Sequence, residues 1–89
     1  MKNNTEKSKF ELEVDGHLAY ASYKIESGVL FIKHVEAAPE LRGKGAAGHL
    51  MKKIMEFVIS KKLKVKPICG YANAWIRKHK EFHALLSQD

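Results

Sequence analysis

At 89 residues, 45% of them apolar and 29% charged, the chain has material for one modest core, and its composition argues against disorder and against a coiled coil. No apolar run approaches the roughly 20 residues that a membrane-crossing helix needs, and the five His and single Cys show no metal-ligand spacing. The formal charge of +6 is unevenly spread: residues 1–41 hold five Lys against seven acids, residues 42–89 eleven Lys and Arg against three acids. A one-sided positive field favours an anionic partner such as nucleic acid, a membrane surface or a phosphate-bearing cofactor, whereas for any single Lys a solvated surface is the ordinary reading.

The opening MKNNTEKSK lacks the apolar stretch of a secretory signal. Residues 1–8 are expected as a flexible polar tail ahead of a single domain over 9–89. One cysteine cannot make an internal disulfide, which fits a reducing cytoplasm.

Phe10 to Val14 alternates apolar and polar, as a half-buried strand does. Asp15-Gly16 then signals a hairpin turn. Leu18 to Ile25 reads as a second strand, with Leu18, Tyr20, Ser22 and Lys24 on one face and Ala19, Ala21, Tyr23 and Ile25 on the other. Glu26-Ser27-Gly28 turns again, and Val29 to Val35, the most apolar run, is predicted to be central. Three strands joined by tight turns make an antiparallel meander.

After Gly45 the period becomes helical. Ala47, Leu50, Met51, Ile54, Phe57, Val58 and Lys61 form the inner stripe, and His49, Lys52, Lys53, Glu56 and Ser60 the wet side. The helix is predicted to end near Lys62. Leu63 to Cys69 alternates again and reads as a strand, with Pro67 marking an edge or an end. Following a helical crossover, it is expected to lie parallel to the third strand. A short helix from about Ala72 to Lys80, with Trp75 and Ile76 inward, closes an α+β fold.

The segment between the third strand and the long helix, VEAAPELRGKGAAGHL, carries Gly43, Gly45 and Gly48 in G-x-G-x-x-G spacing. Glycine-rich turns at helix starts hold phosphate because unpaired amides and the positive helix end point to one place. A nucleotide-triphosphate P-loop needs Lys and Ser or Thr after the last Gly, where His49 and Leu50 stand. The dinucleotide fingerprint needs its turn directly after the strand and an acid about 20 residues on. Here Glu36 to Arg42 intervene, and the next strand offers Lys62, Lys64 and Lys66.

A third pattern, Ala37-x-Pro39-x-x-Arg42-Gly43-Lys44-Gly45-Ala46-Ala47, resembles the acetyl-CoA signature of the GNAT superfamily of N-acetyltransferases. Residues 10–82 are similar to its short single-domain branch, through His34-Val35-Glu36, Glu40-Leu41-Arg42-Gly43-Lys44-Gly45, Pro67-x-Cys69 and Tyr71-Ala72-x-x-Trp75-Ile76-x-x-His79-x-Glu81-Phe82. The resemblance implies a minimal GNAT-like fold: a three-stranded antiparallel meander, a crossover helix, a parallel fourth strand and a short C-terminal helix. It implies acetyl-CoA or CoA as cofactor, with Glu36, Ala37, Arg42, Gly43, Lys44, Gly45, Ala46, Ala47 and Asn73 in its binding set. Glycine at 43 and 45 lets the backbone approach phosphate without an intervening Cβ. Lys44, Lys52 and Lys53 are candidates for the adenosine 3′-phosphate.

The implied activity is N-acyl transfer from acetyl-CoA to an unidentified amine, on a small molecule or a protein. A main-chain N–H near His34 to Ala37 would polarise the thioester carbonyl. His34 is the candidate base, expected to face Cys69 across a cleft between the third and fourth strands; a His packed in the sheet or tipped into solvent is the plain reading. The resemblance places Cys69 at the acyl end of CoA, as covalent acyl acceptor or as a lining residue; an inert buried thiol is the alternative. Tyr71 would return a proton to the departing sulfur, or its ring only packs. Elements that build an acceptor site in larger superfamily members are not expected within these residues, so the acceptor meets an open cleft. A CoA-binding module without turnover is the alternative. A basic nucleic-acid binder is the third reading, against which Phe57 is the lone aromatic of residues 42–66 and lies on the inward stripe, leaving no stacking platform. A monomer or weak dimer is expected.

Overall fold

The computed structural model describes residues 1–87. One five-stranded sheet runs in the order of the chain: β1 (Lys2–Asn4), β2 (Lys9–Val14), β3 (His17–Glu26), β4 (Val29–Ala37) and β5 (Lys64–Pro67). The first four strands are antiparallel and β5 lies parallel to β4. Between them come a 3-10 turn at Pro39–Leu41 and the crossover helix α1 (Ala46–Ser60). After β5 follow α2 (Gly70–Lys78) and a second 3-10 segment, Lys80–Leu85. The minimal GNAT-like α+β arrangement is therefore present, with one strand more than expected.

That strand comes from the residues read as a tail. Lys2 pairs with Glu11, Asn3 with Phe10 and Asn4 with Lys9, and the Tyr23 hydroxyl donates to Asn3 Oδ1 at 2.6 Å. A short polar segment has no periodicity of its own. It becomes a strand here because β2 offers an unpaired edge and Tyr23, two strands away, offers a donor.

Period-two alternation turns Phe10, Ala19, Ala21, Tyr23, Leu30, Ile32 and Val65 to one face, where all are buried. Leu50, Met51, Ile54, Met55 and Val58 of α1 and Ala72 and Ile76 of α2 close over them. Phe10 stacks on Tyr23 with centroids 4.2 Å apart and takes the edge of Phe57 at 5.1 Å. The inner stripe differs slightly from expectation: Met55 is fully buried, Phe57 and Ala47 are half-buried, and Lys61 is exposed. Among the described residues, the opposite face, with Tyr20, Ser22, His34 and Glu36, carries no helix, so these residues form two layers.

Helix α1 stops in a Schellman arrangement. The Leu63 amide donates to Val58 O at 3.0 Å and the Lys62 amide to Ile59 O at 3.1 Å, with Lys62 at φ +56° in the position where Gly is usual. Helix α2 begins earlier than predicted because extended Cys69 is its N-cap, the Asn73 amide bonding back to Cys69 O at 3.0 Å. It ends at His79, where the His83 imidazole Nε2 donates to Ile76 O and Arg77 O at 3.0 and 3.2 Å.

Candidate functional site

Two irregularities in β4 make the site. The first is a bulge. Ser22 opposes His34 but Tyr23 opposes Ile32, so Lys33 is an extra residue without a partner. Plain alternation from Leu30 and Ile32 would send His34 to the buried face. The bulge instead turns it outward, where its Nε2 lies 3.4 Å from Glu36 Oε1 and the Tyr20 hydroxyl donates to Glu36 Oε2 at 3.4 Å.

The second is the parting of β4 from β5. Pairing ends at Ile32 with Pro67, and Ile32 O accepts the amides of both Ile68 and Cys69, at 2.9 and 3.1 Å. The chain then turns into α2 while β4 continues to Ala37. The Ala38 amide bonds back across β3 to Leu18 O at 2.9 Å, so alternation along an antiparallel pair turns the amides of Val35 and Ala37 the other way, into the wedge left by β5.

Above the wedge sits the glycine loop. The Arg42 amide bonds to Pro39 O and the Lys44 amide to Leu41 O, both at 3.1 Å, which coils the chain tightly. Gly43 and Gly45 stand at φ +76° and +69°, left-handed positions that cost a Cβ-bearing residue about 1–2 kcal/mol. A Cβ at either would meet nothing within 4 Å, so the space in front of this backbone is open. Gly45 is the N-cap of α1 and supplies no side-chain cap, and the first turn holds no acid. The amides of Ala46, Ala47 and Gly48 are left without an intrahelical partner at the positive helix end. They open onto a cleft of about 250 Å³ whose other walls are Ala37, Ala38, Leu41, Arg42, Gly43, Gly45 and Tyr71. This is a ready seat for a phosphate-bearing group, and exposed Arg42 at its rim forms no ion pair among the described residues.

The cleft therefore gathers Ala37, Arg42, Gly43, Gly45, Ala46, Ala47 and Tyr71 of the residues singled out from the sequence. It does not gather the side chains of Glu36 or His34, which share the open sheet face, nor that of Lys44, whose Nζ is 2.9 Å from Asp15 Oδ2. Asn73, a turn into α2, accepts from Arg77 Nε at 2.8 Å. Cys69 is half-buried against the core, while the bulge at Lys33 turns His34 onto the open sheet face beside Glu36. Burial and the neighbouring Cys69 push the Tyr71 phenol above its ordinary value, which keeps it protonated beside the cleft. Lys52 and Lys53 lie on the exposed side of α1, the latter 4.0 Å from Glu56.

Three cleft residues were not singled out: Ala38, Leu41 and Gly48. Gly48 had a signal in the third glycine of G-x-G-x-x-G. A Cβ there would stand 3.4 Å from Trp75 Nε1 and 3.8 Å from the Tyr71 hydroxyl, ordinary contact distances that mark where α1 and α2 meet. Among the described residues no group of three or more His, Cys, Asp or Glu could hold a metal ion, and no helix is long and apolar enough to cross a membrane.

Comparison with curated proteins gave no match. A family model described as GCN5-related N-acetyl-transferase matches residues 9–85, which takes in β2 through the second 3-10 segment and so the whole of the cleft. With a central strand, a glycine loop and a helix in that order inside the matched span, the chain belongs to the GCN5-related N-acetyltransferase family.

Proposed function

We propose that this protein is an acetyl-CoA-dependent N-acyltransferase acting on an amine that reaches the wedge from the open face of the sheet. One observation carries the reading: the free amides at the start of α1 and the left-handed glycines before it converge on a cleft that runs into the gap between β4 and α2. The residues fit the group. Arg42, Gly43 and the amides of Gly45 to Gly48 would hold the diphosphate of CoA, Lys44 and Glu36 contributing only main chain. When bound, acetyl-CoA supplies the acyl group as a thioester.

The chain's own groups then have distinct tasks. The amides of Val35 and Ala37 face the wedge, where they are the donors for an acyl carbonyl oxygen. Tyr71 keeps its proton at Oη, at the cleft wall, for a sulfur leaving group. His34, beside Glu36 on the outer face, would take a proton from an amine that approaches there. Among the described residues no base is hydrogen-bonded to Cys69, which supports direct transfer to the amine with Cys69 as a neighbour of the acyl end.

The test is a titration of the labelled protein with CoA, read by NMR, followed by an assay for amine-dependent release of free CoA. Shifts confined to residues 35–48 and 69–75, with release, are the expected result. Shifts without release across a broad amine panel would mark a binding module, and no shifts with CoA would sink the reading. Intact mass after incubation with acetyl-CoA alone is expected to leave Cys69 unmodified; an acetylated Cys69 would establish the covalent route.

A further inference from the structure

The loop that holds the cleft open is tied to the Asp15-Gly16 turn and the first residues of β3 by two hydrogen bonds, with a third close approach between them. Ala38 N–H donates to Leu18 O at 2.9 Å, Glu40 Oε1 lies 3.7 Å from His17 Nδ1, and Lys44 Nζ bonds Asp15 Oδ2 at 2.9 Å. Residues 38, 40 and 44 on one side thus meet 18, 17 and 15 on the other, in antiparallel order. The turn is a two-residue hairpin connection, Asp15 and Gly16 both being left-handed at φ +52° and +79°. The loop it holds needs Gly43 and Gly45 in left-handed geometry, which a free glycine segment would adopt only part of the time. The carboxyl of Asp15 is drawn below its ordinary range first by the hydrogen bond from Lys44 and then by its charge.

We propose that the Asp15–Leu18 segment is a brace that fixes the 38–45 loop in its anion-receiving shape, with Asp15 and Lys44 as positioning residues. Lys44 is held by Asp15, so its ammonium serves the loop and not the bound phosphate. Among the described residues, Arg42 is a cation at the rim that forms no ion pair. This deepens the CoA-binding reading and rests on it for the ligand, although the brace itself is a property of the free protein.

The two roles for Lys44 predict opposite signs. If Lys44 were a phosphate ligand restrained by Asp15, removing the carboxylate would free it and tighten binding. If the pair is a brace, the same change loosens the loop and weakens binding. Asp15→Asn is the suitable variant, because Asn is isosteric and tolerates φ > 0. Lys44→Met removes the other partner.

Backbone ¹⁵N order parameters of Gly43, Lys44 and Gly45 in the free protein are expected to fall in both variants, with those of β2–β4 unchanged. CoA affinity, measured calorimetrically, is expected to weaken about threefold in each, in keeping with the modest worth of exposed pairs, and the double variant should add nothing further. Unchanged order parameters in Asp15→Asn overturn the brace, as does tighter CoA binding. A much larger loss in Lys44→Met than in Asp15→Asn also overturns it. Should the unaltered protein bind no CoA, the functional reading fails while the order parameters still decide the brace.

Discussion

The amide of Cys69 and the carbonyl of Ile32 meet at 3.1 Å, at the point where β4 and the chain leaving β5 part company. Ile32 O also accepts from Ile68, so one acceptor closes the sheet on that side and leaves the next stretch of β4 open. Pro67, opposite Ile32, is the last paired residue of β5. The wedge is thus a consequence of where one strand ends, and the glycine loop stands directly above it.

Gly45→Val adds a Cβ in a left-handed position that faces open cleft. The strain should lower stability by about 1–2 kcal/mol, a cost the fold survives, measured by chemical denaturation. Affinity for CoA should fall by about tenfold or more, since the new side chain occupies the space in front of the free amides. Unimpaired binding would place the phosphate seat elsewhere.

Tyr71→Phe keeps the ring on the cleft wall and removes its proton. Turnover is expected to drop while CoA affinity stays nearly constant, a separation that steady-state kinetics and calorimetry resolve. In the unaltered protein the phenol's value is raised above the ordinary 10.0, by burial first and by Cys69 second. Because the folded value exceeds the unfolded one, its contribution to stability is whole below about pH 10 and is lost as pH climbs through the raised value. Donor function should hold across the neutral range.

Lys44→Met should move the Asp15 carboxyl back up toward its ordinary 3.8, followed by NMR titration of its side-chain carbon. The folded value lies below the unfolded one, so the pair stabilises the protein above that ordinary value and ceases to do so as pH falls through the lowered one. An Asp15 titration indifferent to Lys44 would mean that the two side chains do not meet in solution.

Tyr23→Phe deletes the hydroxyl that donates to Asn3 while leaving the ring stacked on Phe10. The expected loss is about 1 kcal/mol of stability, together with faster amide exchange in β1 and little change in β3. If β1 exchanges as before, its pairing with β2 alone holds it.

Much of the fold was legible because it is written locally. The alternation of residues 10–14 and 18–25, the Asp15-Gly16 turn and the helical stripe of α1 all depend on near neighbours, and each element appears where the pattern puts it. The loop was legible for the same reason: Arg42, Gly43 and Gly45 announce a tight, left-handed approach to a helix start. Illegible were the features that need a distant partner. Lys2–Asn4 carries no pattern and is a strand only because β2 and Tyr23 receive it. The partner of Lys44 is Asp15, 29 positions away in sequence, and no local pattern joins the two.

The amino-acid sequence by itself determined the α+β order of elements, the position of the glycine loop between a central strand and a helix, and hence the family. Only the tertiary structure decided which side chains share the site. The bulge at Lys33 turns His34 onto the open sheet face with Glu36, and the end of β5 at Pro67 opens the wedge beneath Tyr71. Both are matters of register between strands, and register is set by the pairing of segments far apart in the chain, which short-range periodicity does not encode.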